Sequence, residues 1–153
     1  MRGASSPRNP RPRVETAYCC TTRISPGNSR ALKVCSGILQ AKGYRVRRNV
    51  YLRKPRAQVD VFGISDGISV AVDCKHWARA PGYSSLARQV EAQKVRAARL
   101  HESLDRIGPI ASVILVLVDQ GARFVSGGAI VPVFAFGDFL GNVETYRDQL
   151  DLV

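Results

Sequence analysis

The stretch VDVFGISDGISVAVDCKHW, Val59–Trp77, holds two strand-like apolar runs around a Ser-Asp-Gly turn and plants an aspartate in each. Val59, Val61, Ile64, Val70 and Val72 are strand formers, and Asp66-Gly67 is a strong short signal for a two-residue hairpin turn. A type I′ turn centred on those two residues pairs Ser65 with Ile68, and counting outward sets Asp60 directly opposite Asp73. Like charges facing each other across a hairpin destabilise it unless something neutralises them. Side chains alternate along a strand, so Lys75 shares the face of Asp73 and lies opposite Gln58. Two carboxylates and a lysine gathered at one spot point to a divalent-metal site.

Outside this hairpin, the charge is unevenly spread. The chain of 153 residues carries a net +11, which by itself points to an acidic partner such as nucleic acid or an anionic membrane. Fourteen basic residues and a single acid, Glu15, fall in residues 1–56, a net +13; the rest holds 9 basic and 11 acidic residues, a net −2. The hairpin therefore belongs to a nearly neutral body that follows a strongly basic third. At 45% hydrophobic the chain has enough apolar surface for one domain with its own core. The opening MRGASSPRNPRPR is rich in Pro, Arg and Ser, so residues 1–27 are expected to form a basic, flexible arm and residues 28–153 a single domain.

The four cysteines, Cys19, Cys20, Cys35 and Cys74, form no C-x-x-C pair and have no histidine at zinc spacing. The most apolar run, ASVILVLV (Ala111–Val118), has the length of a strand rather than of a membrane span. With no apolar leader at the N-terminus, the expectation is a cytoplasmic protein with no membrane partner.

Ala31, Leu32, Cys35, Ile38 and Leu39 share one helical face and Gly43 suits the C-terminal cap, which predicts a helix over residues 29–42. YRVRRNVYL (Tyr44–Leu52) reads as a first strand with Arg45, Arg47 and Arg48 exposed, followed by a loop containing Arg53, Lys54 and Arg56. Beyond the hairpin, a serine-capped helix is expected from about Leu86 to Leu104. Leu86, Val90, Gln93, Ala97, Leu100 and Leu104 fall on one stripe of it. Gln93 thus sits mid-stripe, where its amide needs partners. SVILVLV is predicted to be a central strand, parallel to the second hairpin strand because a helix links them. GAIVPVFAF is predicted to be a fifth strand nearer an edge, since Pro132 lacks a donor, with Asp138 capping a last helix. The order is α-β-β-β-α-β-β-α, a mixed sheet flanked by helices.

The segments QVDVFGI, VAVDCKHW and QVEAQKVRAARL, preceded by LQAKGYRV and followed by VILVLV, resemble the PD-(D/E)xK superfamily of restriction-endonuclease-like nucleases. The likeness is greatest to the Mrr-like endonucleases and archaeal Holliday-junction resolvases. It spans about Ser29 to Leu140. The resemblance implies a Mg2+-dependent (or Mn2+-dependent) DNA endonuclease. Asp60, Asp73 and the main-chain carbonyl of Cys74 would be metal ligands, Lys75 would position or activate water, and Gln93 (with Gln89 as second choice) would be the helix glutamine. Phosphate contacts are expected from Arg45, Arg47, Arg48, Arg53, Lys54 and Arg56, and a base-stacking role from Trp77. A site of this kind cuts one strand, so duplex cleavage implies a homodimer. Two departures stand out: the first helix, NSRALKVCSGILQ, has no acid where many relatives carry a glutamate, and valine rather than proline precedes Asp60. The alternative is a nuclease-fold protein that binds nucleic acid without cutting it. Taken singly, the same residues have plainer readings: Asp60 as an exposed strand acid, Lys75 as a solvated strand-end lysine, Gln93 as a buried amide serving a carbonyl, Trp77 as packing.

Overall fold

The computed structural model describes residues 26–77, 79–117 and 121–153. The expected arm over residues 1–27, with Cys19 and Cys20, lies outside the described residues apart from the start of the first helix. That helix, α1 (Pro26–Ala41), starts earlier than predicted, because Pro26 is tolerated in a first turn whose N–H has no acceptor. Ala31, Leu32, Cys35 and Leu39 are buried along the predicted face. Gly43, at φ 84°, reverses the chain, and the Tyr44 N–H returns to the Leu39 carbonyl.

Strands β1 (Arg45–Arg53), β2 (Arg56–Ile64) and β3 (Ser69–Lys75) follow. Helix α2 (Tyr83–Glu102) then leads to β4 (Ile110–Val116), β5 (Arg123–Val125), β6 (Gly128–Pro132) and α3 (Phe136–Gly141). The six strands form one mixed sheet in the order β1-β2-β3-β4-β6-β5. As the α2 connection requires, β3 and β4 are parallel, and β4 and β6 are too. Helices α1 and α3 cover one face, sealing a core that includes Leu39, Val61, Val72, Val113 and Phe136. Helix α2 covers the other with Leu86, Val90, Ala97 and Leu100. Among the described residues, no helix is long and apolar enough to cross a membrane.

Four local expectations are corrected. The Asp66-Gly67 hairpin keeps the predicted register, with Val61↔Val72, Phe62↔Ala71 and Gly63↔Val70 paired, but its turn is not type I′. Neither central residue has a positive φ. The loop is closed by Ser69 Oγ, which accepts the Ser65 N–H at 3.1 Å, while the Ser69 N–H is spent on the Pro109 carbonyl beside β4 at 2.9 Å. Positive φ at both central residues appears instead at Ser126 (47°) and Gly127 (74°), which join β5 to β6.

The short β5 makes a sixth strand and takes the edge, moving β6 one place inward; Pro132 is tolerated as the last residue of its strand. The predicted fifth strand also stops there, because Val133–Ala135 is a 3-10 turn and α3 starts at Phe136, so Asp138 lies in its first turn and does not cap it. Finally, Gly82 rather than a serine precedes α2, and no side chain caps that end.

Strand β1 is distorted beside Asp60. Asn49 has φ 51° in the middle of the strand, between the pairs Arg48↔Val61 and Val50↔Val59, which places it level with that aspartate. A left-handed residue inside a strand kinks it. A β-branched residue is strained in that conformation, so Asn49→Val is expected to lose about 1–2 kcal/mol of stability in urea denaturation. Asn49→Gly should lose little by comparison; equal losses would mean the kink does not depend on the left-handed backbone.

Candidate active site

The backbone ladder between β2 and β3 ends at Val61↔Val72, one pair short of the two aspartates. Beyond it the Cys74 N–H is met not by a carbonyl of β2 but by the Asp60 carboxylate, at 2.9 Å from Oδ2. Asp60 and Asp73 are thus brought side to side where the strands part. They are not a cross-strand ladder pair, as the turn predicted, although the register that aligns them is the predicted one. The N–H and C=O of a strand residue face the same side, so the Cys74 carbonyl belongs to the edge that Asp60 occupies.

Alternation along β3 then sorts its last side chains. Cys74 turns toward α1 and joins the core with Cys35. That contact, with burial, pushes its thiol up and keeps it a thiol. Asp73, 7% exposed, turns toward α2, and Lys75 with it; Lys75 Nζ lies 3.0 Å from Asp73 Oδ2. The juxtaposition sits at the carboxyl end of β3, beside β4.

Helix α2 supplies the rest. Gln93 is fully buried, and its Nε2 donates to the Ala71 carbonyl at 3.0 Å. That bond holds the helix against β3 two residues before Asp73. The other end of the amide, Oε1, accepts from Arg96 Nη1 at 3.2 Å, and the same nitrogen lies 3.6 Å from Asp73 Oδ2. Gln93 therefore works through its neighbours, while Arg96 reaches the acids directly. Sequence reading missed Arg96. Its only signal was its place one turn after Gln93 in QVEAQKVRAARL.

Burial, reinforced by the adjoining Asp73 carboxyl, pushes the Asp60 carboxyl up to about 6, against the opposing pull of the Cys74 N–H and the Lys75 ammonium. A desolvated pair of carboxylates that resists holding two charges gains from a cation placed between them. The donors are all hard oxygens, two carboxylates and one carbonyl, which suits Mg2+ with water completing its shell. Among the described residues no three His, Cys, Asp or Glu side chains converge, so a metal here would rest on two acids and the main chain.

No protein-family model matches the chain. Over 93 residues it is 32% identical to an uncharacterized protein of Archaeoglobus fulgidus, an alignment covering 60% of this chain and 70% of that protein. The chain belongs to the family of that protein. That protein carries no stated activity.

The residues predicted to touch nucleic acid divide into separate places. Arg56 lines a groove of about 400 Å3 between β1, β2 and α2, together with Tyr51, Gln58, Arg96 and Arg99, and the groove reaches Asp73 through Arg96. Arg45 and Arg47 line a cleft of about 180 Å3 with Asp66 and Arg106, toward the opposite end of β3. Arg48, Arg53 and Lys54 are exposed on β1 and its turn. Trp77 is half-buried and packs on the cluster of Leu86, Val90, Ile114 and Val116, which accounts for its presence without a base to stack on.

Proposed function

We propose that the protein is a Mg2+- or Mn2+-dependent DNA endonuclease of restriction-endonuclease-like fold. The observation that carries this reading is the parting of β2 and β3 at two adjoining carboxylates, with Lys75 held 3.0 Å from one of them. Asp60, Asp73 and the Cys74 carbonyl would hold the metal, which when bound supplies a Lewis acid for the scissile phosphate and lowers the pKa of a bound water. Lys75, anchored by Asp73, stands where an ammonium can orient that water and offset the charge that develops at phosphorus. Gln93 keeps α2 and β3 in register, and thereby keeps Arg96 over Asp73. A homodimer would supply the two sites that duplex cleavage needs.

The second reading, a nucleic-acid-binding protein that does not cut, is favoured by one feature: Lys75 and Arg96 both lie against Asp73 and already offset its charge. Incubating the full chain with a panel of labelled duplex, branched and single-stranded DNA in Mn2+ and in EDTA separates the two. Cleavage in Mn2+ that EDTA abolishes supports the nuclease; binding without cleavage of any member supports the second.

A further inference from the structure

The groove beside the acids has a composition that metal binding does not explain. Ala92, Val95, Arg96 and Arg99 of α2 line it at helical spacing, so one face of the helix forms a wall, and Tyr51, Arg56, Ala57 and Gln58 of the β1–β2 hairpin form the other. Three of its eight lining residues are arginines and none is an acid.

Arg56 and Arg99 are held in place by groups that leave their charge intact. Arg99 Nη1 donates to the Arg56 carbonyl at 2.8 Å, and the Arg56 guanidinium lies over the Tyr51 ring, 5.8 Å from its centroid. Arg96 is fixed by the Gln93 amide. Among the described residues neither Arg56 nor Arg99 has a carboxylate partner; Arg96 alone does, and that partner is Asp73. Pre-placed guanidiniums without counter-ions form a receptor for phosphate, which they bind in a fork and without loss of charge at any ordinary pH. Arg96 and Arg99 stand about 4.5 Å apart along the helix axis, a spacing that suits a chain of anions better than a single one. The distant cleft of Arg45, Arg47 and Arg106 lacks this character because Asp66 lines it.

We propose that the groove between the β1–β2 hairpin and α2 is the track for the phosphate backbone of the nucleic-acid strand next to the bond that is cut, with Arg96 joining the track to the acids. This rests on the nuclease reading for what happens at the acids, but binding in the track does not require cleavage. Arg96 spans the two: its Nη1 lies 3.6 Å from Asp73 Oδ2 and its side chain lines the groove wall.

The test measures binding of the full chain to a fluorescein-labelled DNA duplex and to its single strand by anisotropy, in EDTA, over a range of KCl concentrations. Arg96→Gln and Arg99→Gln should each weaken binding about tenfold and lower the slope of log K against log salt by about one. Arg99→Lys should keep most of the slope. Arg147→Gln, which removes one positive charge from the far side of the sheet where Arg147 pairs with Glu144, serves as the control for net charge. Groove variants that melt with wild type yet bind no worse than Arg147→Gln overturn the track, as does a wild-type chain that binds neither probe at low salt. Cleavage assays in Mn2+ on the same proteins separate the two ideas. Lost binding in the groove variants with no cleavage by wild type leaves the track standing and removes the nuclease; cleavage by wild type with unchanged binding in the variants does the reverse.

Discussion

Asp73→Ala and Lys75→Ala are each expected to lower Mn2+-dependent DNA cleavage by about 10²-fold or more, the size of effect seen when one preorganised group at a charged transition state is removed. The two losses have different causes. Asp73 is buried between two cations, so its removal takes away a metal ligand and leaves Lys75 and Arg96 without their anion. Lys75 keeps a third of its side chain exposed and Arg96 still faces Asp73 in its absence, so its removal disturbs packing less and takes away the ammonium beside the acids. Asp73→Asn keeps the shape and separates lost charge from lost packing. The measurement is initial cleavage rate in Mn2+, paired with DNA affinity in EDTA to show that binding survives. Cleavage that persists in both variants, or that proceeds equally in EDTA, would mean that Asp73 and Lys75 form an ordinary strand-end ion pair.

The Asp60→Asn variant should melt higher than wild type in EDTA at neutral pH and lose most of the stabilisation that metal gives. The folded carboxyl titrates at about 6, above the usual unfolded value near 3.9. The penalty is therefore absent below about 4, where both states are protonated, builds between about 4 and 6, where only the folded carboxyl keeps its proton, and is complete above 6. Discounted for the partial exposure of Asp60, the gain at pH 7 to 8 should be about 1–2 kcal/mol, or roughly 3–6 °C in a chain of this size. Asparagine retains an oxygen for the Cys74 N–H and adds an N–H that can face Asp73, so no bond is lost. At pH 4 the two proteins should melt together. Metal stabilises by binding the folded state, so wild type should gain from Mg2+ or Mn2+ at neutral pH and the variant should gain little. A variant that is less stable in EDTA yet gains as much from metal would place Asp60 in a purely structural role.

The features legible in the chain were those set by short-range periodicity. Alternation in Val70–Lys75 assigned Asp73 and Lys75 to one face and Cys74 to the other, and the structure keeps that assignment. The 3.6-residue stripe of α2 identified Gln93 as buried, because a helix placed against a sheet cannot turn one stripe position outward without exposing the rest. The Asp66-Gly67 pair gave the right register by the wrong turn. The apolar side chains of the two strands fix which residues face the core, and register follows from that whether the loop is type I′ or tied by Ser69.

Residues 59–77 by themselves thus determined which carboxylates meet and the face of Asp73 and Lys75, since strand pairing and alternation are properties of neighbouring residues; alternation does not run through Asp60, because Val59 joins the core under α2 and Val61 the core under α1. Only the tertiary structure decided that β2 leaves β3 at Val61, freeing the Cys74 N–H for Asp60, because the course of β2 depends on the kinked β1 beside it. It alone put Arg96 on Asp73 and divided the arginines between a groove and a distant cleft. An arginine carries its charge several bonds from the backbone, so its partner is chosen by whatever element is packed within reach, and no spacing along the chain records that choice.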